Sequence, residues 1–289
     1  MKVFYRPEMV AHTKSLSPSA FKPKLVVEDW QNDALIDAEI CSFEPATYSQ
    51  LCLAHDPDFV AGVLNCKIEN GFGNCDKAVA DSLPFTSGSM IAAAAYAVQN
   101  GEVVCSPTSG FHHSYFDSAN GFCSLNGILI AALVLKQMGL VNRVSIFDLD
   151  RHYADGSQNI IDHLGLDWIQ HHTQGKFFNS RSDCAGGKFT KWLTKAINES
   201  LGSDLVLVQL GADPHLLDLL GGLQSTQEMA ARDRLIFEKL GHRPLVFCLG
   251  GGYSSAKGKT PAERLEPVLR LHRQSARICT EVLAGVAHV

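Results

Sequence analysis

The sequence predicts an α/β fold: a single domain over residues 1–289, built as a three-layer sandwich around a mostly parallel central sheet. Three observations lead there. Six short segments are nearly continuous in apolar and β-branched residues, as strands buried on both faces are. Amphipathic or apolar helical stretches alternate with them, which is the order of a parallel sheet covered by crossover helices. No internal repeat, low-complexity tract or long linker divides the chain.

The expected strands are Val3–Tyr5, Val103–Cys105, Arg143–Asp148, Trp168–His171, Leu205–Leu210 and Pro244–Leu249. The expected helices include Ser89–Gln99, Asn126–Met138, Lys188–Leu201, Gln227–Leu240 and Ala262–Leu283. Four of the strands run straight into polar sequence: Ser106–His113, Asp148–Gly156, Gly211–Asp218 and Gly250–Tyr253. Ligands of open parallel sheets bind beyond the carboxyl ends of the strands, so these four segments are expected to converge on one site.

Composition narrows the function classes. The chain is 46% hydrophobic and 19% charged, ordinary for a globular protein. Apolar runs such as Met90–Val98 and Ile128–Leu135 fall well short of the ~20 residues a membrane helix needs. Met1–Tyr5 leads directly into strand-like sequence without a signal core, so a cytoplasmic location and no membrane partner are expected. Nine cysteines without a Cys-x-x-Cys pair argue against both a disulfide framework and a thiolate zinc site. A formal net charge of −5 gives no general attraction for nucleic acid.

Asp148-Leu149-Asp150-Arg151-His152 ends a strand, and in extended chain Asp148, Asp150 and His152 share one face. Carboxylate oxygen and imidazole nitrogen suit zinc or ferrous iron. Taken alone, the same residues also read as the capping start of a helix over Ser157–His163. Asp213, just past the Leu205–Leu210 strand, is either a third ligand or a turn carboxylate before Pro214. Together the three leave an open coordination position, as catalytic metal sites do. Two anionic ligands weaken the acidification of water by a divalent metal, so a separate general base is required.

His112 and His113 supply candidates for that base, and Asp148 and Asp155 are carboxylates able to orient them. Tyr253 follows Gly250-Gly251-Gly252, a tight loop from which its phenol is placed to stabilise an oxyanion. No Gly-x-Ser-x-Gly elbow is present and no cysteine has a nucleophile's setting, which leaves attack by activated water.

In this order, the motifs resemble the histone deacetylase and acetylpolyamine amidohydrolase family of the arginase–deacetylase fold. They are Ser109-Gly-Phe-His-His-Ser with Gly121-Phe-Cys-Ser-Leu-Asn126, Asp148 to Gly156, Gly211-Ala-Asp-Pro and Leu249-Gly-Gly-Gly-Tyr253. The resemblance implies zinc on Asp150, His152 and Asp213, a histidine dyad at His112 and His113 with His113 the main base, Asp148 and Asp155 behind them, and Tyr253 at the transition state. It further implies paired tunnel aromatics at Phe122 and Phe178, a backbone carbonyl at Gly121, Leu220 at the rim and Cys123 near the tunnel foot. Tyr153 and Ala154 stand where the family carries a second histidine and a glycine. The K+ site beneath the zinc keeps Asp148 but lacks its usual serine near Ile169–His171. Asp76 is the one carboxylate near the slot of the aspartate that grips peptide backbone.

The expected activity is therefore removal of an acetyl or other acyl group from a lysine side chain or similar primary amine. An acetylpolyamine or other small acylated amine is the alternative substrate. A two-manganese ureohydrolase fits less well, because Asp150-x-His152 is followed by Tyr153-Ala154-Asp155 and not by the spaced aspartate that a second metal needs. A non-catalytic binding homologue fits less well because no catalytic position is lost.

Overall fold

A computed structural model describes residues 1–286 of the chain. Its centre is one seven-stranded sheet, in which every pairing is parallel. The strands are β1 (Lys2–Phe4), β2 (Glu39–Cys41), β3 (Val103–Cys105), β4 (Val144–Asp148), β5 (Ile169–Thr173), β6 (Leu205–Gly211) and β7 (Leu245–Gly250). They lie side by side in the order β2-β1-β3-β7-β6-β4-β5. The ten helices of the described residues are α1 (Lys22–Gln31), α2 (Tyr48–Leu51), α3 (Pro57–Leu64), α4 (Lys77–Asn100), α5 (Gly127–Gln137), α6 (Asp155–Leu164), α7 (Arg181–Cys184), α8 (Lys188–Glu199), α9 (Thr226–Leu240) and α10 (Pro261–Val286).

Strand alternation produces the three layers. On β6, Leu205 and Leu207 join one apolar core while Val206, Val208 and Leu210 join the other. On β7, Val246 and Cys248 face the first core, and Leu245, Phe247 and Leu249 face the second. Helices α3 to α6 cover the first core, and α1, α8, α9 and α10 cover the second. A strand buried on both faces gains nothing from polar alternation, which is why these segments read as continuous apolar runs. No helix among the described residues is long and apolar enough to cross a membrane.

All six expected strands are present, with ends shifted by a residue or two. β2 was not anticipated: it is three residues long, partly exposed and at the sheet edge, so it carries no apolar signature. Helix α4 begins at Lys77, twelve residues before the expected start at Ser89, and runs through Pro84. The Asp76 carboxylate caps it by accepting the Ala78 N–H, and burial of Val79, Leu83, Met90 and Ala94 outweighs the backbone bond that proline removes.

The polar strand ends predicted to converge belong to β3, β7, β6 and β4, which are four consecutive neighbours in the middle of the sheet. Their carboxyl ends therefore open onto one crevice.

Candidate active site

Asp150, His152 and Asp213 meet at the ends of β4 and β6, each offering one ligand atom, with all three atoms within 4.8 Å of one another. His152 Nδ1 lies 3.0 Å from Asp150 Oδ1 and 3.1 Å from Asp213 Oδ2. Both carboxylates are buried, and apart from the nearby His152 imidazole Asp213 Oδ2 has no hydrogen-bond partner. Two buried carboxylates converging on one imidazole favour a cation between them. The residues fit a divalent metal with oxygen and nitrogen ligands. The capping alternative fails for Asp150, because α6 starts only at Asp155 and its N-cap, Ala154, makes no side-chain cap bond. Asp213 does accept the Arg151 N–H at 3.2 Å, which ties the two ligand loops together.

Several glycines permit this closeness. A Cβ on Gly211 would stand 2.6 Å from Asp150 Cα, and one on Gly251 would stand 2.3 Å from Asp213 Cγ. Any side chain at either position would push a ligand carboxylate away.

The histidine pair sits beside the ligands. His112 Nδ1 is 3.1 Å from Asp148 Oδ2, and His113 Nδ1 is 2.6 Å from Asp155 Oδ1. A carboxylate only accepts, so each imidazole carries its proton on Nδ1 and turns Nε2 to other work. The two rings differ in electrostatics. His112 is fully buried, which opposes its charged form, but Asp148 and Asp150 outweigh burial and raise its pKa to about 9. Burial and then the neighbouring His112 lower the pKa of His113. The two rings are thus pushed in opposite directions, His112 toward its charged form by Asp148 and Asp150 and His113 toward its neutral form by burial. Asp155 also accepts the Tyr115 hydroxyl at 2.7 Å, a partner that the sequence reading missed.

Tyr253 is buried at the edge of the same crevice, and burial followed by the charges of Asp150 and Asp213 keeps its phenol protonated far above the usual range. Its ring lies 6.0 Å from that of Phe122, which also neighbours Phe72 at 5.9 Å. Phe122 adopts φ +64°, a left-handed backbone that a bulky residue rarely accepts, directly after Gly121 at φ +51°. A Cβ on Gly121 would meet His113 Cδ2 at 2.6 Å, so the glycine makes room for the dyad. A small cavity reaches this point, lined by Ser17, Gly121, Phe122, Cys123, Asp150 and Tyr253 among others.

Leu220 is exposed on the loop that follows Asp213. Phe178, the expected partner of Phe122, has aromatic neighbours of its own. It is buried in the second core, edge-on to Phe189 at 5.3 Å and to Trp192 at 5.5 Å. Asp76, the carboxylate considered for peptide recognition, is engaged as the α4 cap.

Lys22 was also missed. It is wholly buried under the glycine loop, where Nζ donates to the carbonyls of Gly250, at 3.1 Å, and Gly251. Burial lowers its pKa to about 8 against the opposing pull of Asp213 and Asp150. Its partners are main-chain atoms, so no side-chain motif announced it.

The histone deacetylase domain family matches residues 18–178 of the chain. An uncharacterized protein of Picosynechococcus sp. is 30% identical over 224 residues, covering 70% of this chain and 74% of that protein. The human polyamine deacetylase HDAC10 is 29% identical over 188 residues, covering 54% of this chain and 28% of the human protein. This chain therefore spans less than a third of the human relative's length. Among solved structures, the acetylpolyamine aminohydrolase of Burkholderia pseudomallei superposes with a TM-score of 0.71 over 98% of both chains at 16% identity. That likeness is one of fold.

Proposed function

This chain belongs to the histone deacetylase family, and from that premise we propose that it hydrolyses an acylated primary amine, with acetyl-lysine in a protein or peptide as substrate and zinc as metal. The observation that carries the reading is convergence: one candidate ligand triad, a histidine dyad backed by two carboxylates, and a buried tyrosine share the ends of neighbouring strands. A divalent metal on Asp150, His152 and Asp213 supplies Lewis acidity toward the acyl carbonyl and the attacking water.

The remaining work falls to the chain's own groups. Neutral His113, oriented by Asp155, takes a proton from the attacking water and later gives it to the leaving amine. His112, cationic against Asp148, offsets negative charge as the carbonyl carbon becomes tetrahedral. The Tyr253 phenol donates to the developing oxyanion. Phe122 flanks the acyl-bearing stem, the Gly121 carbonyl accepts its amide N–H, and Leu220 meets the substrate at the rim. Nine free cysteines support a reducing compartment, and we assign the activity of residues 1–289, read as one catalytic domain, to the cytoplasm.

A second reading, an acetylated polyamine as substrate, is favoured by the names of two similar proteins, the human polyamine deacetylase and the bacterial acetylpolyamine aminohydrolase. Both readings are tested by the zinc-loaded protein on acetyl-lysine peptides, acetylated polyamines and longer acyl-lysines. The highest kcat/KM is expected on an acetyl-lysine peptide. A preference for acetylated polyamines would move the assignment to the second reading, and no turnover of any acyl amine would refute both. Metal analysis of protein purified under anaerobic conditions separates zinc from ferrous iron, and two equivalents of manganese would contradict a single-metal site.

A further inference from the structure

We infer that Arg232 is a positioning residue for the metal site, a buried guanidinium on α9 that fixes the spacing between the strand ends carrying Asp150 and Asp213. Its Nη1 donates to two carbonyls at once: Leu149 O at 3.2 Å and Gly211 O at 3.1 Å. Leu149 immediately precedes Asp150, and Gly211 stands two residues before Asp213. The β4–β6 ladder has ended by this point, its last paired residues being Asp148 and Gln209 and its last bond the Leu149 N–H to Gln209 O at 3.0 Å. Beyond it the two segments run on into the ligand loops, where the Arg232 fork and the Arg151 N–H to Asp213 bond join them in place of the ladder.

The guanidinium is itself held. Nε donates to Asp233 Oδ1 at 2.7 Å, and Asp233 Oδ2 accepts the Ser275 hydroxyl of α10 at 2.5 Å. The Arg232 and Asp233 side chains are each 1% exposed. A buried ion pair is a poor source of net stability, since well-packed apolar side chains of the same size often do as well. Here the pair delivers a rigid donor fork to two main-chain atoms next to metal ligands, a task no apolar pair performs. Gly211 shows how little slack exists, because Leu149 O would lie 2.7 Å from a Cβ placed there.

The inference rests on Asp150, His152 and Asp213 being the metal site, and the test separates the two. Metal affinity is measured by competition with a chromophoric chelator, site geometry by the visible spectrum of the Co2+-substituted protein, and stability by the Tm of the metal-free form. Arg232→Lys keeps the charge but not the planar fork. It is expected to weaken metal binding about 10- to 100-fold and to shift the Co2+ bands while metal-free Tm changes little. A merely structural role would lower Tm and leave affinity and spectrum alone. Folded Arg232→Lys with the parent's affinity and spectrum overturns the inference. If that variant does not fold, Ser275→Ala decides: affinity reduced about threefold or more supports the bridge, and unchanged affinity overturns it. A parent protein that binds no metal removes the site reading and the inference together.

Discussion

The carboxylate of Asp218 accepts the backbone N–H of Tyr253 at 2.6 Å, joining the loop after β6 to the glycine loop after β7. Its other oxygen accepts the Leu220 N–H at 2.9 Å, so a single side chain anchors both the proposed oxyanion donor and the rim. Asp218→Ala leaves that N–H without its acceptor, a loss of about 1–3 kcal/mol for a buried donor. We expect kcat to fall about tenfold with metal affinity unchanged, since Asp218 touches no proposed ligand. Asp218→Asn retains an acceptor oxygen and recovers most of the rate. Undiminished kcat in the alanine variant would remove Asp218 from any role in placing Tyr253.

Tyr253→Phe removes a hydroxyl and little volume. If the phenol stabilises the oxyanion, kcat drops by about 10²–10³ while metal affinity stays at the parent value. The measurement is steady-state kinetics on the best acyl-amine substrate beside a metal titration. A variant with full turnover would exclude the oxyanion role.

What the sequence displayed and what it hid follow from the kind of atom each residue uses. Asp150, His152, Asp213 and Tyr253 were legible because apolar strands end abruptly at them, and a polar side chain at that place in a parallel sheet has little structural reason to exist. Lys22, Arg232 and Asp218 were not legible, because each works on main-chain N–H or C=O groups that leave no trace in side-chain identity. β2 was hidden by exposure, and the first turns of α4 were hidden by Pro84, which reads as a break until tertiary packing is known. The ring contacts of Phe178 with Phe189 and Trp192 were hidden as well, because no local pattern links those residues.

His113 is the group whose protonation should limit activity in acid. Burial and the nearby His112 depress its pKa, so it is neutral at pH 7 and the acid limb of kcat/KM is expected below the ordinary histidine value of about 6.5. The Asp155 charge opposes that depression. Asp155→Asn is therefore expected to move the acid limb to lower pH and to reduce kcat by about tenfold or more, since tautomer and orientation are less well fixed. Tyr115→Phe, which takes one donor from Asp155 and leaves its charge in place, should show a smaller loss of kcat without lowering the acid limb. An acid limb that moves upward in Asp155→Asn would contradict the pairing.

His55 gives the fold its own pH dependence, away from the metal ligands. It is fully buried, its Nδ1 donates to Tyr115 O at 2.8 Å, and its Nε2 accepts the Asn126 N–H at 2.8 Å. Asn126 in turn caps α5 by accepting the Leu129 N–H. An imidazole that accepts on Nε2 must be neutral, and burial lowers its pKa to about 4 even though its backbone hydrogen bond to Tyr115 pulls upward. In the unfolded chain the same ring binds a proton near pH 6.5. Between those values the unfolded state holds the extra proton, so stability is greatest above about pH 6.5 and falls as pH drops toward 4. The expected slope is on the order of 1 kcal/mol per pH unit from this residue. Urea unfolding at several pH values in that window measures it, with His55→Gln as the comparison, because the amide oxygen can take the Asn126 N–H without titrating. The variant should show a shallower loss of stability on acidification, and the difference between the two slopes isolates His55. Identical slopes would mean that the ring is not held neutral in the native protein.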